Sequence, residues 1–337
     1  MATFVFSGGN GLFGFNMLEW DAADIANIIT GTLSTSHSST QVTYNDGNGE
    51  ILQARGTLGD YDQFGDPTSG SVTSFTYTTD RFGSPSMSID ASGFSLSVPT
   101  LYDWLFNGDA LSLHKFLFDG GDTMTGSAGS DLLEGYGGAD TISGGGGNDV
   151  LFGENFPGRE LLTTAAGNDT LNGGEGNDIL LGQTGDDNLT GGNGDDLMQG
   201  GVGNDSISGG AGTDLADYGE ATSGVSVSLL IDTQQNTGGA GLDTLSSIED
   251  LSGSTFNDTL TGDANANVIT GLEGNDIMDG GGGIDTVSYE FATGGVTVLL
   301  SQSTQQNTGS DGLDTLSGFE NIIGGDFNDT LGGTDDN

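Results

Sequence analysis

Gly173-Gly174-Glu175-Gly176-Asn177-Asp178-Ile179-Leu180-Leu181 is a phrase of nine residues, and Gly200-Gly201-Val202-Gly203-Asn204-Asp205-Ser206-Ile207-Ser208 repeats it three units later. Its aspartate recurs along the chain. Asp131, Asp140 and Asp149 stand nine residues apart, and after one interruption Asp169, Asp178, Asp187, Asp196, Asp205 and Asp214 resume the same step. A fixed period of this kind marks a repeat architecture, in which one unit cannot bury its apolar face alone and stacked neighbours supply the core.

Each unit divides its labour. Glycines at the first, second and fourth positions permit backbone shapes closed to other residues, so a tight turn is expected there. The last three positions read as a short strand. Leu133, Ile142, Leu151, Leu171, Leu180, Leu189, Met198 and Ile207 all occupy position eight, and regular coiling stacks them into one continuous apolar core. That core is thin, whereas ordering the backbone costs about 1–2 kcal/mol per residue, so apolar burial alone is not expected to fold the segment. A hard cation is the natural complement: calcium takes about six to eight oxygen ligands, and each loop offers a carboxylate beside several backbone carbonyls. Without a cation the stacked carboxylates repel one another, so metal binding and folding are expected to be one event.

The phrase matches G-G-x-G-x-D-x-U-x, where U is a large apolar residue, and the chain therefore resembles the RTX (repeats-in-toxin, haemolysin-type) calcium-binding family. The resemblance implies a right-handed parallel β-roll in which two nonapeptides make one turn and each calcium lies between loops of successive turns on one side. Multiple Ca2+ ions are implied, held by Asp131, Asp140, Asp149, Asp169, Asp178, Asp187, Asp196, Asp205, Asp214, Asp258, Asp276, Asp285 and Asp329. Backbone carbonyls would complete each shell from the glycine positions Gly173, Gly174, Gly176, Gly182, Gly185, Gly191, Gly192, Gly194, Gly200, Gly201, Gly203, Gly209, Gly210 and Gly212. Carried onto this chain, the geometry pairs loops 18 residues apart, as Asp178 with Asp196 and Asp187 with Asp205. Asn267 stands where the step calls for an aspartate and offers an amide oxygen without charge, so a weaker site is expected there. The resemblance also implies export by a one-step type I route that reads an uncleaved C-terminal signal, the repeats staying unfolded until they meet external calcium.

Composition agrees with a cation-loaded array. Of the 337 residues, 49 are acidic and 4 basic, for a net charge of -45, with 64 glycines and no cysteine. Residues 1–118 hold 12 acidic and 3 basic residues; the other 37 acidic residues and Arg159 lie beyond. Such a chain repels phosphate backbones and anionic lipid, which argues against nucleic-acid binding and direct docking on acidic membranes. Two blander accounts stand beside this one. A disordered acidic linker shares the Gly-Asn-Asp content but has no reason to hold aspartate and aliphatic residue in register over nine units. Adaptation to high salt also favours acidic surfaces, without explaining a carboxylate at one position in nine, and both can hold. No run of 18 apolar residues occurs, so no membrane span is expected. Residues 1–14 lack both basic residues and a cleavage site, so no cleaved N-terminal signal is expected. Absence of cysteine suits an extracellular domain in which calcium does the stapling.

The chain is expected to divide as follows. Residues 1–118 read as a small α+β capping domain, with a helix from Asp21 bearing Ile25, Ile28 and Ile29, and strands at 49–57, 71–78 and 94–98. Thr100 and Asp109 look like caps of two short helices carrying Leu101, Trp104, Leu105, Phe116 and Leu117, suited to closing the open apolar end of a roll. Residues 119–217 form the first β-roll with a surface insertion at 155–166, which contains Pro157 and Arg159. A β-rich linker module follows at 218–257, a second roll at 258–289, a second linker module at 290–327 and a further, truncated repeat at 328–337. The modules are copies at an offset of 71 residues: Gly241-Leu242-Asp243-Thr244-Leu245 returns as Gly312-Leu313-Asp314-Thr315-Leu316, and Phe256-Asn257-Asp258-Thr259-Leu260 as Phe327-Asn328-Asp329-Thr330-Leu331. Val225, Val227 and Leu229 alternate with polar residues and predict a strand with one buried face. The sequence stops at Asn337 where the earlier copy would continue into a new roll, as expected of a piece of a longer modular protein.

A search for catalytic constellations is negative for H-E-x-x-H, for G-x-S-x-G and for a cysteine nucleophile. His37 and His114 read as structural. Asp60 and Asp62 could serve as an acid–base pair, but a solvated acidic loop is the simpler reading. The sequons at Asn168, Asn188, Asn204, Asn257 and Asn328 arise from the repeat phrase itself. The expectation is a non-enzymatic calcium-binding protein, extracellular or at the cell surface, serving as a structural, adhesive or surface-layer component. Self-association or cell-surface glycans are its expected contacts. The alternative is a ligand-binding or enzymatic N-terminal domain, with Tyr44, Tyr61, Tyr77, Tyr102 or His37 holding haem or a glycan, carried on an RTX export and stability module.

Overall fold

The computed structural model describes five strands between residues 3 and 97, and residues 120–126, 128–154 and 167–333. Every regular element among these is a β-strand. The chain forms two compact units, Met1–Thr170 and Leu171–Asn337.

In the first unit, β1 (Thr3–Ser7), β2 (Gln41–Asn45), β3 (Ile51–Leu58), β4 (Gly70–Thr79) and β5 (Met87–Ser97) form an antiparallel sheet in the order β1-β5-β4-β3-β2. The strands expected at 49–57, 71–78 and 94–98 fall on β3, β4 and the end of β5. The helices expected from Asp21 and after Thr100 lie outside the described residues, as does the insertion at 155–166. The strand β1 was not anticipated. It pairs in parallel with β6 (Thr123–Thr125), Phe4 opposite Met124, and so supplies backbone partners to an edge that would otherwise stay open. From there the nonapeptides take over: β6 pairs in parallel with β8 (Thr141–Gly146), and β7 (Leu132–Glu134) with β9 (Val150–Phe152), each residue facing one 18 positions later.

The second unit carries the same construction further. One sheet runs β10 (Thr170–Glu175), β12 (Asn188–Asn193), β14 (Ser206–Ala211), β18 (Leu242–Ser246) and β17 (Gln235–Asn236). A second runs β11 (Ile179–Leu181), β13 (Leu197–Gln199), β15 (Leu215–Asp217), β19 (Asp250–Ser252), β21 (Val268–Thr270), β23 (Thr286–Ser288) and β27 (Asn321–Ile323). A third holds β16 (Ser226–Ser228), β20 (Thr259–Thr261), β22 (Ile277–Asp279), β26 (Gly312–Ser317) and β25 (Gln306–Gly309), and β24 (Thr297–Leu299) pairs with β28 (Thr330–Gly332). Among the described strands of this unit, pairing is parallel except in the hairpins β17–β18 and β25–β26, and Val225 bridges Gly238 antiparallel. The protein is thus mainly β, with the parallel sheets of a β-roll.

Register explains the 71-residue offset. Ordinary turns pair residues 18 apart, as Leu180 with Met198. On one side a turn enlarges to 38 residues, pairing Ser206 with Thr244 and Ile277 with Thr315; on the other it enlarges to 35, pairing Leu215 with Asp250 and Thr286 with Asn321. One 35-residue step and two 18-residue steps span one module. The enlarged turns belong to the same sheets as the nonapeptides, because β19 bridges β15 to β21 without a break.

All eight position-eight residues named from the sequence are buried, and the stack continues through Ala216, Leu251, Ile269 and Val287 on the second sheet. The strand patterns show why: β12 reads exposed, buried, half-buried, buried along Asn188-Leu189-Thr190-Gly191, the alternation of a pleated strand with one inward face. Val225 and Val227 are buried as the alternation predicts, but Leu229 is only half-buried, because the strand ends at Ser228 and the chain turns away.

Candidate metal centres

Coiling by 18 residues places each aspartate beside the backbone of its predecessor one turn back. Asp196 Oδ1 accepts the N–H of Asp178 at 2.8 Å, Asp205 Oδ1 that of Asp187 at 2.9 Å, and Asp214 Oδ1 that of Asp196 at 3.0 Å. Asp149 takes Asp131 at 2.8 Å, and Asp276 takes Asp258 at 2.9 Å. Asp169 accepts from Asp140 at 2.7 Å across 29 residues, one ordinary turn plus eleven, so the ladder keeps register past the insertion. Asp329 is set apart from these: it is half-buried, and its Oδ1 accepts the N–H of Val296 at 2.9 Å, not that of another acidic residue.

One oxygen of each rung is thereby used, which leaves the other to be accounted for. The second oxygens of Asp140, Asp196, Asp205, Asp214, Asp276 and Asp285 are buried without a hydrogen-bond partner. A buried carboxylate oxygen lacking a partner is costly, and its burial asks for a proton or a cation. Burial, reinforced by neighbouring aspartates, pushes Asp140 and Asp276 up to about 8 and Asp205 to about 7. Asp169 and Asp196 rise to about 6, again chiefly through burial, and the backbone hydrogen bond each accepts offsets only part of the rise.

The glycines shape the space around these oxygens. A Cβ on Gly191 would strike Asp196 Oδ2 and lie 2.7 Å from the Gly209 carbonyl oxygen; one on Gly182 would lie 2.5 Å from Asp187 Oδ2 and 2.7 Å from the Gly200 carbonyl oxygen. Gly173 and Gly209 stand over Asp178 and Asp214 in the same way, and Gly200 stands over the Asp205 carboxylate. First-position glycines therefore keep clear a cradle where the carboxylate of one turn meets the carbonyl of the next. At the second and fourth positions, Gly174, Gly176, Gly185, Gly192, Gly194, Gly201, Gly210 and Gly212 hold left-handed φ values, as the turn requires, whereas Gly203 does not. Among the described residues no three His, Cys, Asp or Glu side chains gather into a cage. Each loop brings one or two carboxylates, and backbone carbonyls must complete any shell, which is the oxygen-only donor set a calcium ion favours. The residues present fit calcium.

Several rungs are closed from within. Asn267 keeps the ladder bond to Asp285 (2.9 Å), but its amide oxygen accepts from Asp263 N–H at 2.8 Å and its Nδ2 donates to the Glu249 carbonyl at 2.6 Å. The oxygen expected to serve as a weak ligand is already engaged. Asp258 is held by Ser254, whose N–H reaches Oδ2 at 2.6 Å and whose hydroxyl reaches Oδ1 at 2.8 Å.

Five rungs escaped the sequence reading. Asp122 Nα–H donates to Asp140 at 2.7 Å, and its position nine residues before Asp131 was a legible signal. Asp243 and Asp314 accept from Asp205 and Asp276, each at 3.0 Å across 38 residues; Glu249 and Glu320 accept from Asp214 and Asp285 at 3.0 and 2.9 Å across 35 residues. Enlarged turns hide these four from a nine-residue step, although the 71-residue repeat preserves both pairs. Position five is also used: Asn177 Oδ1 accepts from Asp195 N–H at 3.0 Å, and Asp195 Oδ1 from Thr213 N–H at 2.9 Å, an outer ladder on the exposed side.

A parallel roll whose buried carboxylates at several turns share their space with a backbone carbonyl of the next turn fits a class, the cation-binding solenoids. Comparison with known families is specific: residues 118–151, 156–189, 181–216 and 252–287 match the RTX calcium-binding nonapeptide repeat, in four copies. The chain carries RTX repeats, and repeats of this family bind Ca2+ in multiple copies. No curated protein matches the chain significantly. Among the described residues no helix is long and apolar enough to cross a membrane.

Proposed function

We infer that this is an exported calcium-binding protein whose β-roll assembles on meeting calcium outside the cell, where it serves as a structural, adhesive or surface-layer component and not as an enzyme. The observation that carries the reading is the recurrence of buried, unpartnered Oδ2 atoms at Asp196, Asp205, Asp214, Asp276 and Asp285, three of them (Asp196, Asp214 and Asp285) beside a carbonyl of the following turn. When bound, calcium supplies the positive charge that lets these carboxylates stay ionised in a buried row. The chain's own part is to order the ladder: each Oδ1 holds the N–H of the preceding turn, each first-position glycine keeps the cradle clear, and the aliphatic stack sets the spacing. RTX repeat proteins are typically secreted, and a low-calcium interior followed by a calcium-rich exterior suits a chain that must stay unfolded until export.

Far-UV circular dichroism during a calcium titration of the chelated chain tests the folding step; a spectrum already at its endpoint in chelator would overturn it. Electron microscopy with and without calcium tests the structural role. Lattices or filaments that dissolve in chelator support it, and monodisperse particles in both conditions redirect attention to a ligand-binding role for residues 1–118.

A further inference from the structure

At the two 35-residue enlarged turns the ladder passes out of an RTX repeat onto a glutamate instead of an aspartate. Asp214 N–H donates to Glu249 Oε2 at 3.0 Å, while the N–H groups of Glu249 and Asp250 return to the Asp214 carbonyl at 3.1 and 2.9 Å. Seventy-one residues on, Asp285 N–H donates to Glu320 Oε2 at 2.9 Å, and Glu320 and Asn321 return to the Asp285 carbonyl at 3.1 and 2.9 Å. Asp214 and Asp285 are fully buried, and the Oδ2 of each has no hydrogen-bond partner.

A third oxygen converges at each junction. The Ser247 carbonyl stands with Asp214 Oδ2 over Gly209, and the Gly318 carbonyl stands with Asp285 Oδ2 over Gly280. Ser247 and Gly318 both hold left-handed φ values, 50° and 72°, and Ser247 does so without a glycine's freedom. These are the relations that Gly209 bears to Asp196 over Gly191 in an ordinary turn, with Ser247 or Gly318 as the carbonyl donor and glutamate as the second carboxylate. The glutamate's extra methylene suits a longer return path.

We propose that Asp214, Glu249 and the Ser247 carbonyl form one divalent-cation site, that Asp285, Glu320 and the Gly318 carbonyl form its copy, and that both bind calcium outside the nonapeptide pattern. The matched repeats end at residues 216 and 287, so neither glutamate nor either carbonyl belongs to them. Two carboxylates and a carbonyl make an oxygen-only donor set suited to a hard cation with water completing its shell. These sites pin each enlarged turn to the regular roll, so every 71-residue module starts on a metal-closed joint.

The proposal rests on calcium binding by the aspartate ladder, and the test separates the two. Bound calcium per full-length chain is measured by equilibrium dialysis for the parent, Glu249→Gln, Glu320→Gln, the double variant and Asp196→Ala. Glutamine keeps an oxygen for the aspartate N–H and removes the charge. Each single variant is expected to lose one ion or to weaken one site by roughly tenfold or more, and the double variant two, with the calcium-saturated dichroism spectrum unchanged. If the double variant does not reach that spectrum, the singles decide, since each retains the other copy. Full binding by both glutamine variants while Asp196→Ala loses ions overturns this proposal alone; full binding by all of them overturns the ladder reading as well.

Discussion

Residues 173–214 and the enlarged turns of the 71-residue modules use the same ladder, yet they satisfy it differently. In the first stretch the ladder bonds run from aspartate to aspartate, and Asp196, Asp205 and Asp214 leave a buried oxygen open. In the modules, Asp243 Oδ2 accepts the Thr237 hydroxyl at 2.7 Å and Tyr218 lies against it. Asp314 Oδ2 accepts the hydroxyls of Thr308 and Tyr289, both at 2.9 Å. Hydroxyl donors do there what a cation must do elsewhere. The difference teaches that one repeat fold can mix metal-dependent and self-sufficient turns, depending on whether an inserted loop carries a donor to the carboxylate.

The largest effect expected from that contrast is on calcium removal. Hydrogen exchange in chelator is expected to show residues 173–214 losing protection almost completely, while 225–246 and 296–317 retain part of theirs. Uniform loss along the second unit would break the comparison. Next comes a single open rung: Asp196→Ala is expected to lose one or two calcium ions and to loosen adjacent turns only, because in a quasi-one-dimensional array each turn contacts its neighbours alone. Loss of every ion together would refute that locality. Gly191→Ala tests the cradle without touching a carboxylate. Its Cβ would collide with Asp196 Oδ2, so calorimetry is expected to show the same one or two sites weakened with the rest intact.

Acidity sharpens the contrast with a definite sign. Asp140, Asp205 and Asp276 are raised to about 8, 7 and 8 by burial first, so the metal-free fold takes up protons that the unfolded chain does not. Their contribution to metal-free stability is fully present below the ordinary carboxylate range and is lost as pH rises from about 4 to about 8. The chelated protein is therefore expected to show more β-structure at pH 4 than at pH 8, and apparent calcium affinity to rise over the same interval; a flat dichroism profile would contradict this. The smallest effect belongs to the closed rungs. Tyr289→Phe removes one hydroxyl from Asp314 and is expected to cost about 1.5–3 kcal/mol in denaturant melts at saturating calcium, with no change in bound calcium.

Much of this was legible in the chain. The position-eight aliphatics predicted which side chains are buried in each unit, Leu133 and Ile207 among them, because one inward side chain per repeat is a direct consequence of period and pleat. Asp243 and Glu249 were harder to see, since 38- and 35-residue turns move them off the nine-residue step. Asn267 was expected to offer its amide oxygen, and only the approach of Asp263 and Glu249 shows that oxygen and nitrogen are both engaged. The strand β1 has a Thr-Phe-Val-Phe run that favours a strand, but nothing in that run names its partners. Five residues, Thr3–Ser7, become a strand because β5 and β6 present edges on either side.

By itself the sequence determined the period, the core residue of each unit, the excess of negative charge and the expectation of a cation, since all of these follow from spacing and composition. Tertiary structure decided which carboxylates remain open and which are closed by Thr237, Thr308, Tyr289 or Ser254. The physical reason is that a donor's reach to a buried oxygen depends on how an inserted loop folds back across one turn, and that path is set by packing, not by position in the repeat.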